Sequence, residues 1–183
     1  MSEFIEITTP RLKIVPFAEQ FLTPRYIAWL NDPEVVRFSL QRHRVHSLES
    51  CRNYWLSYSG TPHYFWAIIE HERGLGHIGN MNAHITLRDQ VADLGILVGN
   101  RNAWRQGYSR EAWLAVCGYL FGRAGIRKIT AGAYATNAAM LALMKSTGMS
   151  EDGRRVRHTL VEGREVDIIH AALFSDSWKP PVG

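Results

Sequence analysis

No apolar stretch in this 183-residue chain approaches the roughly 18–20 residues that a membrane-crossing helix needs, which speaks against a bilayer-embedded protein. The opening residues, MSEFIEITTPRLKI, lack a basic segment followed by an apolar one, so no secretory signal is expected and the cytoplasm is the simplest home. Cysteine is scarce: Cys51 and Cys117 stand alone, form no paired spacing, and offer no metal motif. Lys and Arg total 21 against 17 Asp and Glu, giving a net charge of +4. The basic residues are scattered and form no run, so the stripe expected of a nucleic-acid binder is missing. The excess suits an anionic ligand. Repeats and low-complexity segments are also absent. What remains, 46% hydrophobic and 21% charged residues, fits one globular domain over residues 1–183.

The most informative stretch is residues 91–123, VADLGILVGNRNAWRQGYSREAWLAVCGYLFGR. It opens with the mostly apolar run Val91–Val98 and passes through a polar turn to Trp104, Arg105, Gln106, Gly107, Tyr108 and Ser109. From there Ala112, Trp113, Val116, Cys117, Leu120 and Phe121 recur at helical spacing. The pattern predicts a strand, a glycine-containing turn and a helix. A helix starting at such a turn points free N–H groups and the positive end of its dipole outward, a seat for an anion such as phosphate. An ordinary strand-to-helix connection would read the same way.

Along the chain, Arg11, Leu12, Lys13, Ile14 and Val15 predict a first strand stopped by Pro16. Phe21, Ile27, Ala28 and Leu30 predict a helix over 19–31, broken by Asn31, Asp32 and Pro33. Ser47 starts a second helix running to about Tyr58, and Tyr64–Glu70 reads as a strand. Gly74, Gly76 and Gly79 match the dinucleotide pattern GxGxxG literally. The residues after them alternate as a strand does, whereas the fingerprint needs a helix there, so the expectation is a β-hairpin. Strand Val91–Val98 should run antiparallel to its predecessor across Arg88, Asp89 and Gln90. Lys128–Tyr134 predicts a further strand, and residues 137–144 a helix ended by Gly148. Alternation over 155–160 and 165–174 around Glu162 and Gly163 predicts a closing hairpin, with 175–183 a surface tail.

The segment WRQGYSREAW resembles the pyrophosphate-binding turn of the GNAT superfamily of acetyl-CoA-dependent N-acetyltransferases, and more narrowly the RimJ/RimL-like branch. Trp104 stands where the general pattern has Gln or Arg, and Ser109 where it has Gly or Ala. WLNDPEVVRFS, with Thr-Pro-Arg-Leu upstream, Asn137 with Gly148-Met149, and residues 154–167 are similar to further elements of the branch. The element order agrees throughout, so the resemblance covers about residues 9–174. It implies an α/β (α+β) GNAT fold: a mixed, mostly antiparallel, twisted sheet of about seven strands, flanked by about four helices and splayed between the fourth and fifth strands.

The resemblance implies acetyl transfer from acetyl-CoA, a cosubstrate, to a primary amine. Backbone groups of Ile96, Leu97 and Val98 would hold the acetyl and pantetheine parts. The N–H groups of Trp104, Arg105, Gln106, Gly107, Tyr108, Ser109 and Arg110 belong to the turn that would cradle the pyrophosphate, and Asn137 would contact the pantetheine arm or cap its helix. An attacking amine must be neutral, which calls for a base. Asp93 is the first candidate, because an acidic residue recurs here in the branch and an apolar strand would raise its pKa; a strand-edge Asp facing solvent is the alternative. His84 on the neighbouring strand is the second. Where family members often place Ser or Tyr as the acid, this chain has Met140 and Met144, which share a helix face and cannot donate a proton. Tyr134 or a water would serve as the acid, unless the thiolate leaves without one.

The implied acceptor is an amino sugar, nucleotide-linked in one version, or the amine of a protein N-terminus. A closed polar pocket near Asn80, Asn82 and His84 would favour the sugar, and an open acidic groove the peptide. A non-catalytic acyl-CoA-binding domain of the same fold is the alternative that Met140 and Met144 keep in play. No metal, nucleic acid or membrane partner is expected. Family members are often dimers, which leaves a homodimer open.

Overall fold

A computed structural model describes residues 6–179. The elements in chain order are β1 (Ile7–Thr8), β2 (Leu12–Pro16), α1 (Pro24–Leu30), α2 (Leu48–Leu56), β3 (Tyr64–Glu70), β4 (Gly76–Thr86), β5 (Val91–Val98), α3 (Tyr108–Gly122), β6 (Lys128–Tyr134), α4 (Ala138–Ser146), β7 (Ser150–Val161) and β8 (Arg164–Phe174). The strands form one mixed sheet of eight, ordered β1-β2-β3-β4-β5-β6-β8-β7. All neighbours pair antiparallel except β5 and β6, which run parallel. This is the architecture expected from the sequence, with eight strands in place of about seven; the addition is the two-residue β1.

Alternation along the strands divides the sheet into two packed faces. On one, Trp66, Ile68, Met81, Ala83, Ala92, Leu94 and Ile129 meet Trp113, Val116, Cys117 and Leu120 of α3. Trp113 and Leu120 are wholly buried, and burial of side chains of that size contributes roughly 1.5–3 kcal/mol each. On the other face, Phe65 and Ala67 of β3 pack against Tyr26, Trp29 and Leu30 of α1 and Cys51 of α2. Phe65 stacks on Phe17 at 4.4 Å and on Tyr58 at 5.1 Å. This second layer covers the sheet above the site described below.

Local chemistry accounts for the boundaries. Ser47 accepts from the Ser50 N–H, Ser50 returns the bond to the Ser47 N–H, and α2 begins there. The helix expected over 19–31 is split: Thr23 accepts from the Tyr26 N–H, and Pro24 occupies the first helical position, so a new helix starts at α1. Pro16 is the last residue of β2 and does not precede its end. β7 starts five residues before the expected alternation, because register shifts between Glu151 and Gly153 and between Arg155 and Thr159 interrupt the two-residue period. The Gly74–Gly76–Gly79 run turns between β3 and β4 as a hairpin, and no helix follows it. Trp178 packs its ring on Phe121 at 5.6 Å, which ties the chain after β8 to the core face; Pro180 and Pro181 of the expected tail lie outside the described residues.

Two glycines make opposite predictions. A Cβ at Gly99 would run into the indole of Trp29, whereas one at Gly118, inside α3, meets no atom within 4 Å. Urea unfolding should therefore show Gly118→Ala stabilised by roughly 0.5–1 kcal/mol. Gly99→Ala should be destabilised by about 1–3 kcal/mol.

Candidate active site

The site originates where β5 and β6 part. Their parallel pairing covers Val91–Lys128, Ala92–Ile129 and Asp93–Thr130, and then stops. From Leu94 onward β5 is paired only to β4, and from Ala131 onward β6 is paired only to β8. Each strand therefore turns an unpaired edge of N–H and C=O groups into a wedge-shaped gap, which any occupant with amides of its own can satisfy.

A cavity of about 370 Å³ opens from this gap beneath α1 and α2. Its wall on the sheet side includes Leu94, Gly95, Ile96 and Leu97 of β5, Gly132 of β6, and Asn80 and Asn82 of β4. Asn137 and Met140 close one end, and Gln41, Arg44 and His46 of the α1–α2 connection form the roof. Among the described residues that line it there is no carboxylate. Asn82 lies opposite Gly95, and a Cβ there would meet the Asn82 Oδ1 at 2.7 Å. The missing side chain at Gly95 is what gives the Asn82 amide its room.

The orientation of Asn80 follows from its neighbour His77. The His77 Nε2 lies 3.1 Å from the Gly79 carbonyl oxygen and 2.9 Å from the Asn80 Oδ1. A backbone carbonyl only accepts, so Nε2 must carry the proton. The Asn80 atom it meets must then be the carbonyl oxygen, which leaves the Asn80 amide nitrogen for the cavity. Phe21 and Trp29 flank the imidazole, each with its ring centroid 5.0 Å away, and hold it in an apolar cage.

At the far end of β5 the chain reaches the turn before α3. Arg105 has φ 59° and Gly107 φ 81°, two left-handed residues separated by one, and Gly107 caps α3 without a side-chain bond. Among the described residues, no partner takes the N–H groups of Arg105, Gln106, Gly107, Tyr108, Ser109 or Arg110. The turn is clamped from the connection between β1 and β2. The Glu111 carboxylate accepts from the Thr9 hydroxyl at 2.6 Å, the Arg11 N–H at 3.0 Å and the Arg11 Nε at 2.6 Å. Arg11 also donates from Nη1 to the Gln106 carbonyl oxygen at 2.9 Å and lies over the Tyr108 ring. Burial pushes the Glu111 carboxyl up, but these bonds outweigh it and hold the group below the usual carboxylate range.

A family model described as Acetyltransferase (GNAT) domain matches residues 11–150. The chain belongs to the GNAT family. No functionally curated protein matches the sequence. The GNAT-family acetyltransferase of Bacillus anthracis superposes with a TM-score of 0.80 at 19% identity, covering 94% of this chain and all (100%) of that one. The spermidine N-acetyltransferase of Vibrio cholerae, in complex with CoA and spermine, gives 0.82 at 14% identity over 92% and 98% of the two chains. The ribosomal L7/L12 α-N-protein acetyltransferase RimL, in complex with CoA, gives 0.81 at 15% over 93% and 98%. At these identities the structures share the fold.

Within this GNAT domain several of the expected site residues lie outside the cavity lining. Asp93 sits where the strands part, but its carboxylate is exposed, accepts from the Thr130 hydroxyl at 2.8 Å, and does not line the cavity. Asp93 thus matches the alternative reading, a strand-edge Asp facing solvent. His84 is likewise exposed, 4.9 Å from the His63 ring, and outside the lining. Tyr134 is buried with Val161 and Val166, and its hydroxyl is 3.0 Å from the Arg42 Nη1, also outside the lining. Trp104 is a strut: its indole N–H donates to the Val98 carbonyl oxygen at 2.7 Å. Ile96 and Leu97 face the gap, and Asn137 both lines the cavity and caps α4, accepting from the Met140 N–H. Met140 lines the cavity while Met144 is buried in the core.

Burial pushes the His77 imidazole down to about 4; the bond to Asn80 opposes it, the charge of Arg25 adds to the fall, and the bond to Gly79 opposes it least. An unfolded imidazole titrates near about 6.5. Between these values unfolding takes up a proton, so stability must fall as pH drops from about 6.5 to about 4 and gain nothing above that window. The whole effect is roughly 3 kcal/mol. Urea unfolding at a series of pH values should show that loss in the wild type and a flatter profile in His77→Gln; parallel profiles would remove the assignment.

Proposed function

We propose that the protein is an acetyl-CoA-dependent N-acetyltransferase whose acceptor is a small hydroxylated primary amine of the amino-sugar type. The observation that carries this reading is the cavity at the strand gap. Its sheet wall presents the carboxamides of Asn80 and Asn82, and no described lining residue is acidic. Carboxamides donate to and accept from hydroxyl and carbonyl oxygens, as an amino sugar requires. A polyamine would instead bring several positive charges toward Arg44 with no carboxylate to meet them. An acidic groove that would favour a peptide amine is not part of this cavity. The turn sequence WRQGYS supports membership of the RimJ/RimL-like branch.

Acetyl-CoA supplies the activated acetyl thioester. The free N–H groups of Arg105, Gln106, Gly107, Tyr108, Ser109 and Arg110 suit its pyrophosphate, and the unpaired edge at Ile96 and Leu97 suits its amide-bearing arm. Of the arginines near the turn, Arg101 is engaged by Asp32 and Glu34, both at 2.7 Å, which leaves Arg105 and Arg110 to add charge.

The base is selected by elimination among the titratable groups that line the cavity. Burial pushes Tyr26 and Tyr54 up, and also Cys51, so all three stay protonated at neutral pH. Arg44 is a permanent cation. His46 remains. Asn31 fixes its backbone from both sides, with two bonds of 2.8 Å. The His46 Nε2 lies 3.4 Å from the Gln41 carbonyl oxygen, and a proton there leaves Nδ1 with the lone pair that a base needs. His46 thus takes the proton from the acceptor's ammonium, directly or through a water.

Acetyl-CoA at about 100 times its dissociation constant should raise the melting temperature by roughly 5–11 °C, and Gly107→Val should abolish the rise. A wild type that shows no rise rules out acetyl-CoA use. A rise with no thiol release across amine acceptors would favour an acyl-CoA-binding protein without turnover. In steady-state assays His46→Gln should lower kcat by about 100-fold or more while leaving the acetyl-CoA shift intact. Asp93→Asn should change kcat only a few-fold, and the reverse ranking would return the base to Asp93.

A further inference from the structure

Beside the acceptor cavity lies a second one, of about 390 Å³, between the α1–α2 connection and the turn joining β7 to β8. The two share the side chains of Leu30, Arg44 and Val45, so they adjoin along this wall. The second cavity is basic: Arg37, Arg42, His43 and Arg44 line it, with Glu162 as its one carboxylate among the described residues. Glu162 is already matched, because its Oε1 lies 2.9 Å from the Arg37 Nη2 and 3.1 Å from the Arg37 Nε.

The other charges are not neutralised. Arg42 donates from Nη1 to the Ser39 carbonyl oxygen at 2.8 Å and to the Tyr134 hydroxyl at 3.0 Å, and from Nη2 to the Leu160 carbonyl oxygen at 3.2 Å. Its guanidinium also lies over the Tyr134 ring, 5.0 Å from the centroid. Every one of these partners is neutral, so the guanidinium is held in place with its full charge and with N–H donors to spare. Neither His43 nor Arg44 forms an ion pair among the described residues. A pre-positioned arginine with two further basic side chains converging on one cavity is a recognition pattern for a phosphoryl group, with its several acceptor oxygens and more than one negative charge.

We propose that this second cavity binds a phosphoryl group carried by the acceptor itself, so that the substrate is a phosphorylated amino sugar spanning both cavities. Its amine lies at the strand gap, its hydroxyls meet Asn80 and Asn82, and its phosphate sits among Arg42, His43 and Arg44. The proposal rests on the acetyl-transfer reading for what the phosphate is attached to. The anion site itself stands on the geometry of this cavity alone. Tyr134, in this arrangement, serves the acceptor by anchoring Arg42.

The experiment is calorimetric titration of the full chain, saturated with CoA so that the turn before α3 is occupied, with a 2-aminohexose, its 6-phosphate, and inorganic phosphate. The phosphorylated sugar should bind about tenfold or more tighter than the unphosphorylated one. Arg44→Ser and His43→Gln should each remove most of that advantage and leave the affinity for CoA unchanged. Equal affinity of the two sugars, no detectable binding of the phosphate ester, or an advantage insensitive to both substitutions would overturn the proposal. Inorganic phosphate binding as tightly as the sugar phosphate, with the same sensitivity to the substitutions, would assign the site to a free anion and overturn the link to the acceptor. Failure of CoA to bind would be read at the saturation step and would count against the acetyl-transfer reading, while the sensitivity to Arg44 and His43 would still report on the second cavity.

Discussion

The parting of β5 and β6 is the constraint around which the molecule is built. A parallel pair that stops after Asp93 and Thr130 leaves two strand edges unpaired inside the fold, a costly arrangement unless the edges stay hydrated or occupied. Both strands are supported on their outer sides, β5 by β4 over its whole length and β6 by β8. The gap can therefore persist without the sheet coming apart. Small residues keep it clear: Gly95 yields space to Asn82, Gly99 accepts the indole of Trp29, and Gly132 adds no side chain to the opposite wall.

What surrounds the gap is fixed by contacts distant in sequence. Thr9 and Arg11, in the connection between β1 and β2, hold Glu111 in the first turn of α3 and so set the turn at Gly107 against the sheet. His77 at the start of β4 sets the amide of Asn80 from within an aromatic cage contributed by α1 and the segment before it. Asn31 at the end of α1 pins His46. In each case a residue of the site is held by a second residue from a distant part of the chain, which is how a site keeps its geometry on flexible connections.

Much of the fold was legible in the sequence. Tyr64–Glu70, Val91–Val98 and Lys128–Tyr134 were bounded correctly because β-rich apolar runs end at strong turn signals. The false dinucleotide motif was recognised by the alternation that follows Gly79. Where local signals compete, periodicity misleads: Pro24 starts a new helix inside one continuous apolar pattern, and bulges in β7 mask its alternation. The turn at residues 105–110 and the cap at Asn137 were visible because a backbone seat depends on glycine and capping chemistry, which sequence spells out. That Asp93, His84 and Tyr134 lie outside the cavity lining is not legible, because the direction a side chain faces in a twisted sheet and the depth of the layer above it are not local properties. His46 carried no local signal at all; it sits in a connection without periodicity, and only its pinning by Asn31 brings it over the cavity.

By itself, then, the sequence determined the order and kind of the elements, the glycine turn with its free N–H groups, and membership of the GNAT family, since these rest on periodicity, turn chemistry and backbone rules that act over a few residues. Only the tertiary structure decided which polar side chains converge, that no described lining residue of the acceptor cavity is acidic, and that Arg42 is held in place by Tyr134 beside it. Those depend on contacts between residues tens of positions apart, whose geometry is set by packing across the two faces of one sheet.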